Sequence, residues 1–220
     1  MADIKSTNIP ASKMYFGKYA SGYDLGRTGN PVTDEDDAAI AAFVKNMAPG
    51  STVADAPCGT GRALLSVIAA GHKYRGADIS SDMLAECGKK IPQNADVQLD
   101  LADARKLPWS DNSCNYLLSF KFLKWLPKDE LVFEVLKEYR RVCSGQALIN
   151  IKLKRNKIDL SWRELQDKWA KLKDIIFLGG TARSIDRATF EALCKKAGWQ
   201  IVSSTENKAS NGIVHNYILS

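Results

Sequence analysis

The 220-residue sequence predicts an α/β fold built on a mainly parallel sheet. Strand-like and helix-like segments alternate from residue 33 to residue 153, and no two-residue hairpin turn interrupts them. Such alternation is the mark of right-handed βαβ crossovers. The last two strand-like segments, Trp199–Ser204 and Ile213–Leu219, are joined instead by the polar run Thr205–Gly212. A short polar connection of this kind suits an antiparallel hairpin at the edge of the sheet.

Each element has a local reason. Thr33, followed by Asp34, Glu35 and Asp36, reads as an N-cap with acidic charge in the first helical turn. Ile40, Phe43, Val44 and Met47 continue at helical spacing until Pro49 and Gly50. Thr52–Ala56 reads as the first strand, Ala63–Ala70 as a short buried helix closed by Gly71, and Tyr74–Ile79 as the second strand. Ser80 caps a helix carrying Met83, Leu84 and Cys87. Val97–Leu101, Tyr116–Phe120 and Ala147–Leu153 supply three more strands. Between the last two, Pro127 opens a helix whose apolar face is Leu131, Val132, Val135, Leu136 and Tyr139.

Composition narrows the function classes. The longest apolar run, Ala63–Ala70, is far too short to cross a bilayer, and MADIKSTNIP has no apolar signal core, so a cytoplasmic protein is expected. Five scattered cysteines without a C-x-x-C pair, and two histidines, argue against a disulfide framework and against a metal site. The net charge is +6, and residues 121–173 carry fourteen Lys/Arg against seven Asp/Glu. A basic face of this kind attracts nucleic acid, anionic lipid or an acidic small molecule, and is otherwise a solvated surface with a lysine bias.

In an open α/β sheet the ligand sits beyond the carboxyl ends of the strands. The loop after the first strand is DAPCGTGR, residues 55–62. Gly59 and Gly61 allow close backbone approach, but residue 64 is leucine where a dinucleotide fingerprint needs glycine, and no Gly-Lys-Ser/Thr triplet follows. Asp55 would repel a pyrophosphate and accept from an ammonium group. Asp78 ends the second strand, where a carboxylate can take both hydroxyls of a ribose. Asp103-Ala104 follows the third, where an acid can accept the exocyclic amine of adenine. Together these three positions describe adenosine with an amino-acid tail.

With these residues in place, the sequence resembles the class I S-adenosylmethionine-dependent methyltransferases. The motifs are VADAPCGTGR (53–62), GADISSDML (76–84), LADARKLPWSDNSCNYLLS (101–119) and AGW (197–199). The resemblance implies a three-layer Rossmann-like, doubly wound sheet of seven strands, the last antiparallel, and S-adenosylmethionine as cofactor. It implies that Asp55 and Gly59–Gly61 border the methionine part, that Asp78 holds the ribose, that Asp103 and Ala104 hold adenine, and that Ala56, Pro57, Cys58, Ile79 and Met83 also contact the cofactor. Phe120 and Lys121 should line the reactive end, and Tyr23 and Arg27 resemble a lid motif near the cofactor's tail. Pro57 replaces the first motif glycine, and Asn115 stands where aspartate is commoner.

The chain is expected to be one domain: an N-terminal lid or substrate segment (1–32), a cofactor-binding core (33–153), a helical insertion (154–183) and a C-terminal helix and hairpin (184–220). In-line transfer from a sulfonium needs alignment and exclusion of water more than an acid, so no catalytic group is assigned; Tyr19, Lys121 and His215 are candidates. Tyr15 and Tyr19, in an N-terminal segment whose aromatics can box an amine or simply pack as a lid, and Trp125 are the candidate substrate contacts. In the insertion, Ser161 and Glu164 have capping-box spacing, and Trp162, Leu165, Trp169, Leu172 and Ile176 form a stripe that packs on the domain or lies on a membrane surface. SFKFLKWLP after the fourth strand lacks the proline-aromatic tetrad of amino-methylating nucleic-acid enzymes, and Cys58 is misplaced for a nucleobase-carbon nucleophile. The expectation is methyl transfer to a small molecule, such as an amine, a lipid headgroup or a biosynthetic intermediate. The alternatives are an RNA- or phospholipid-directed enzyme using the basic 121–173 face, and a cofactor-binding module of different chemistry.

Overall fold

The computed structural model of the chain describes residues 15–25, 29–154, 182–210 and 213–220. Its centre is a seven-stranded sheet in the order β3-β2-β1-β4-β5-β7-β6. The strands are β1 (Thr52–Asp55), β2 (Lys73–Asp78), β3 (Val97–Leu101), β4 (Cys114–Ser119), β5 (Cys143–Lys152), β6 (Ile201–Glu206) and β7 (Val214–Leu219). The helices are α1 (Lys18–Gly22), α2 (Pro31–Lys45), α3 (Leu64–Ala69), α4 (Ser81–Gly88), α5 (Asp129–Val142) and α6 (Arg187–Lys196). β1 to β5 pair in parallel, and β7 runs antiparallel to both β5 and β6. The chain winds outward from β1 to β3, then returns to place β4 against the other side of β1. That reversal opens a crevice at the carboxyl ends of β1 and β4.

The period of two explains the near-continuous apolar runs of the central strands. In β5, Leu148 packs with Ile40, Phe43 and Val67 on one face, while Ala147 and Ile149 pack with Val135, Leu136 and Phe190 on the other. Leu118 and Leu117 of β4 divide in the same way. A strand covered by helices on both faces keeps no polar alternation. Each large side chain buried this way contributes about 1.5–3 kcal/mol of transfer free energy.

Several boundaries differ from the sequence expectation. Helix α2 is capped by Asn30, whose side chain accepts from the Val32 N–H (3.0 Å), with Pro31 at the first helical position. Thr33 is therefore inside the helix; Pro31 lacks an N–H and has the helical φ, so it suits this position better than any later one. Helix α5 begins at Asp129 rather than at Pro127. Strands β4 and β5 start earlier, at Cys114 and Cys143, which pair with each other. Trp199, expected to open β6, is buried beneath α5 and donates its indole N–H to the Leu136 carbonyl (2.9 Å). The helical insertion around Ser161 to Ile176 lies outside the described residues.

Candidate functional site

A cleft of about 980 Å³, mouth included, opens at the carboxyl ends of β1 to β4. Asp55, Pro57, Cys58 and Gly59 after β1, Asp78 and Ile79 at the end of β2, and Met83 of α4 form one wall. Asp103 and Ala104 after β3 and Phe120 and Lys121 after β4 form the other, and Tyr15, Tyr23 and Trp125 close the mouth. Ala56 and Gly61 lie outside this lining. Ala56 is fully buried, its carbonyl accepting from the Tyr139 hydroxyl. Gly61, at φ +77°, makes the turn, and a Cβ there would come within 2.5 Å of Cys87 Sγ. Its role is to let the loop pass the next helix.

The loop spends its N–H groups internally. Cys58 donates to the Ala77 carbonyl (2.8 Å), Gly61 to the Cys58 carbonyl (2.9 Å), and Gly59 to Asp78 Oδ2 (2.8 Å). A phosphate cradle would leave such donors turned to the ligand. What faces the cleft here is acidic. Tyr74 donates its hydroxyl to buried Asp55 (2.7 Å). Asp78 also accepts from the Ser80 N–H (2.9 Å), yet burial outweighs these bonds and pushes its carboxyl up to about 6. Asp103 is gripped in two-pronged fashion by Arg105, through Nε (3.0 Å) and Nη2 (2.6 Å), which orients the carboxylate along the wall.

Cys58 is a wall residue. Hydrogen bonding with Cys87, then burial, then the charges of Asp55 and Asp78 push its thiol well above the ordinary range, so it carries no thiolate at neutral pH.

The N-terminal segment lies over the mouth. Tyr15 meets Tyr23 and Trp125 edge-on, with ring centroids 5.9 and 6.5 Å apart. The Gly17 N–H donates to Asp82 (2.6 Å), the Thr60 hydroxyl donates to Asp24 (2.7 Å), and Lys90 pairs with Asp24. Arg27 and the Tyr19 side chain lie outside what is described.

Bordering the cleft at Lys121 sits a polar cluster that sequence reasoning missed. Asp36 of α2 is fully buried and faces Lys121 Nζ at 2.5 Å and Arg62 Nη1 at 3.3 Å. It also accepts from Asn207 (2.9 Å) and Asn150 (3.1 Å). Lys121, a candidate for catalysis, thus lines the cleft with its ammonium held by a carboxylate, in a backbone at φ +59°. His215 does not reach the cleft: its Nδ1 lies 3.2 Å from Arg187 of α6. Strand parity is the reason, because the neighbour Asn216 takes the other face and accepts from Asn150 (2.8 Å). Thr60, Arg62, Ala63, Ile40, Ala102 and Phe122 line the cleft as well and were not expected. For Ala102 and Phe122, mere adjacency to Asp103 and Lys121 was the available signal.

Residues 53–145 match the family model described as a methyltransferase domain. No curated protein matches the sequence. Among solved structures, the chain is similar to magnesium protoporphyrin IX methyltransferase from Synechocystis with bound S-adenosylhomocysteine: 15% identity, 99% of each chain covered and a TM-score of 0.71. It is also similar to the cyclopropane synthase MmaA2 from Mycobacterium tuberculosis, at 15% identity over 83% of this chain and 82% of that one, with a TM-score of 0.63. A geranyl diphosphate methyltransferase in complex with its substrate and sinefungin aligns at 11% identity, covering 85% of this chain and 76% of that chain, with a TM-score of 0.63. At such identities the structural likeness speaks for the fold, and the domain match speaks for the chemistry. Together they give a methyltransferase domain over residues 53–145, on the fold shared with S-adenosylmethionine-dependent methyltransferases. The cleft's acidic strand ends and apolar Ile79, Met83 and Phe120 fit S-adenosylmethionine.

Proposed function

We propose that the protein methylates a small-molecule acceptor held at the Phe120–Trp125 end of the cleft. The observation that carries this reading is the tethered aromatic cover, Tyr23, Tyr15 and Trp125, over a cleft whose donor side is already walled by Asp55, Asp78 and Asp103. In this reading Asp78 accepts from the ribose hydroxyls, Asp55 from the ammonium of the tail, and Asp103 with Ala104 receives adenine. Held by these residues, S-adenosylmethionine would supply a sulfonium methyl group for displacement by the acceptor, with sulfur keeping the carbon–sulfur electron pair. The chain aligns the partners and excludes water, which is most of what such a displacement requires. The segment 1–32 acts as lid, in a protein of the cytoplasm. Among the described residues no helix is long and apolar enough to cross a membrane.

Calorimetry with S-adenosylmethionine, followed by labelled-methyl transfer into a fractionated small-molecule extract, RNA and lipid, tests the proposal. Label in the small-molecule fraction is the expected result. Label confined to RNA or lipid overturns it.

A further inference from the structure

A second cavity, of about 280 Å³ with its mouth, lies against the first. Lys121 and Phe122 line both, so the second cavity abuts the first at these two residues. Its other walls are Lys124, Asn150, Lys152 and Val214. The fold assembles this lysine cluster: Lys121 follows β4, Lys152 ends β5, and Lys124 sits in the single 3-10 turn between β4 and α5. These are three of the cations that make residues 121–173 basic.

Their partners are unequal. Lys121 has Asp36. The Lys124 ammonium has neither carboxylate nor hydrogen-bond acceptor among the described residues; it stands over the Trp125 ring, 5.1 Å from its centroid. The indole N–H of Trp125, which lines the main cleft, is likewise a buried donor without an acceptor. A half-buried cation left this way is costly, and an anion in the second cavity relieves it. Burial first, then repulsion from Lys121 and Lys152, pulls the Lys124 ammonium down to about 8, the response of a cation gathered with others out of water.

We propose that this second cavity binds an oxyanion, a carboxylate or a phosphate, carried by the methyl acceptor, so that the substrates are small acids. This rests on the small-molecule reading above. The lysines hold the acid group while the reacting atom of the same molecule projects past Phe122 towards the main cleft.

Equilibrium dialysis with radiolabelled inorganic phosphate and, separately, benzoate tests it, with and without S-adenosylhomocysteine. Phosphate, benzoate or both should saturate the protein, and the one that does identifies the acid group. Lys124→Met and Lys152→Met should each weaken that binding about tenfold, the value of one charge-assisted hydrogen bond. Cofactor affinity, measured by calorimetry on the same samples, should not change. Saturation by neither anion, or equal affinity in Lys124→Met, overturns the proposal. So does lysine-dependent binding only to an RNA oligonucleotide or to phosphatidylglycerol vesicles, with the salt dependence such surfaces show. Loss of S-adenosylmethionine binding in the unmutated protein would instead remove the functional reading and leave the anion result to stand alone.

Discussion

On the β1–β3 side of the cleft the strand ends present carboxylates, Asp55, Asp78 and Asp103; beyond β4 and β5 they present ammonium groups, Lys121, Lys124 and Lys152. The acidic side is held by the protein's own donors: the Tyr74 hydroxyl, the Gly59 and Ser80 N–H groups and the Arg105 fork. On the basic side Asp36 compensates Lys121 and Arg62, while Lys124 rests on an aromatic face. On the proposed reading, the contrast teaches that the donor half is organised in advance, which keeps its geometry independent of the acceptor, and that the acceptor half keeps the Lys124 charge for a ligand.

Breaking the basic side at its buried anchor should have the largest effect. Asp36→Ala leaves Lys121 and Arg62 facing an empty space, and removing one member of a buried ion pair costs about 3–5 kcal/mol. Urea unfolding checks the loss, and a change under 1 kcal/mol would sink the anchoring role. On the acidic side, Asp78→Ala should lower S-adenosylmethionine affinity about 100-fold, two charge-assisted hydrogen bonds' worth, in a calorimetric titration. Unchanged affinity would move the ribose elsewhere.

A pH titration sharpens the same contrast. The folded Asp78 carboxyl, at about 6, lies above its ordinary 3.8. The native state therefore holds this proton more tightly than the unfolded chain. Its contribution to apo stability is fully present below about pH 4 and is lost as pH rises through 6. Cofactor binding has the opposite sense, because the ionised form accepts from hydroxyls: affinity should be about tenfold weaker at pH 5 than on the plateau above pH 7. A flat profile across that range would refute the assignment. Smallest of all, Cys58→Ala should weaken cofactor binding by about threefold or less, since only van der Waals contact is lost. Abolished binding would return the thiol to consideration.

The donor side was legible because its signals are local. An acid at a strand's end, or within two residues of it, recurs at Asp55, Asp78 and Asp103, and a helix cap, Ser80, stands beside the second. The basic side was not, because its partners come from α2, the β1 loop, β4, β5 and the residues after β6, and only sheet order brings them together. By sequence Asp36 is one more acid at a helix start, and Thr33 competes with the true capping pair Asn30-Pro31. His215 and Asn216 are indistinguishable until the register Ile151↔His215 settles which face each takes. The charge excess of 121–173 was visible, but not which lysines share a cavity.

The Asp36 cluster also sets an order of events in time. Its carboxylate is bonded to a side chain 171 residues further along the chain. As the polypeptide leaves the ribosome, β1, β2 and β3 and their acidic loops are complete long before Asn207 exists. The cofactor half can take shape early, while α2 waits with a charged group only partly satisfied until β6 has been made. A newly made molecule therefore completes its acidic side first, and the Asp36 cluster closes only once Asn207 has been made.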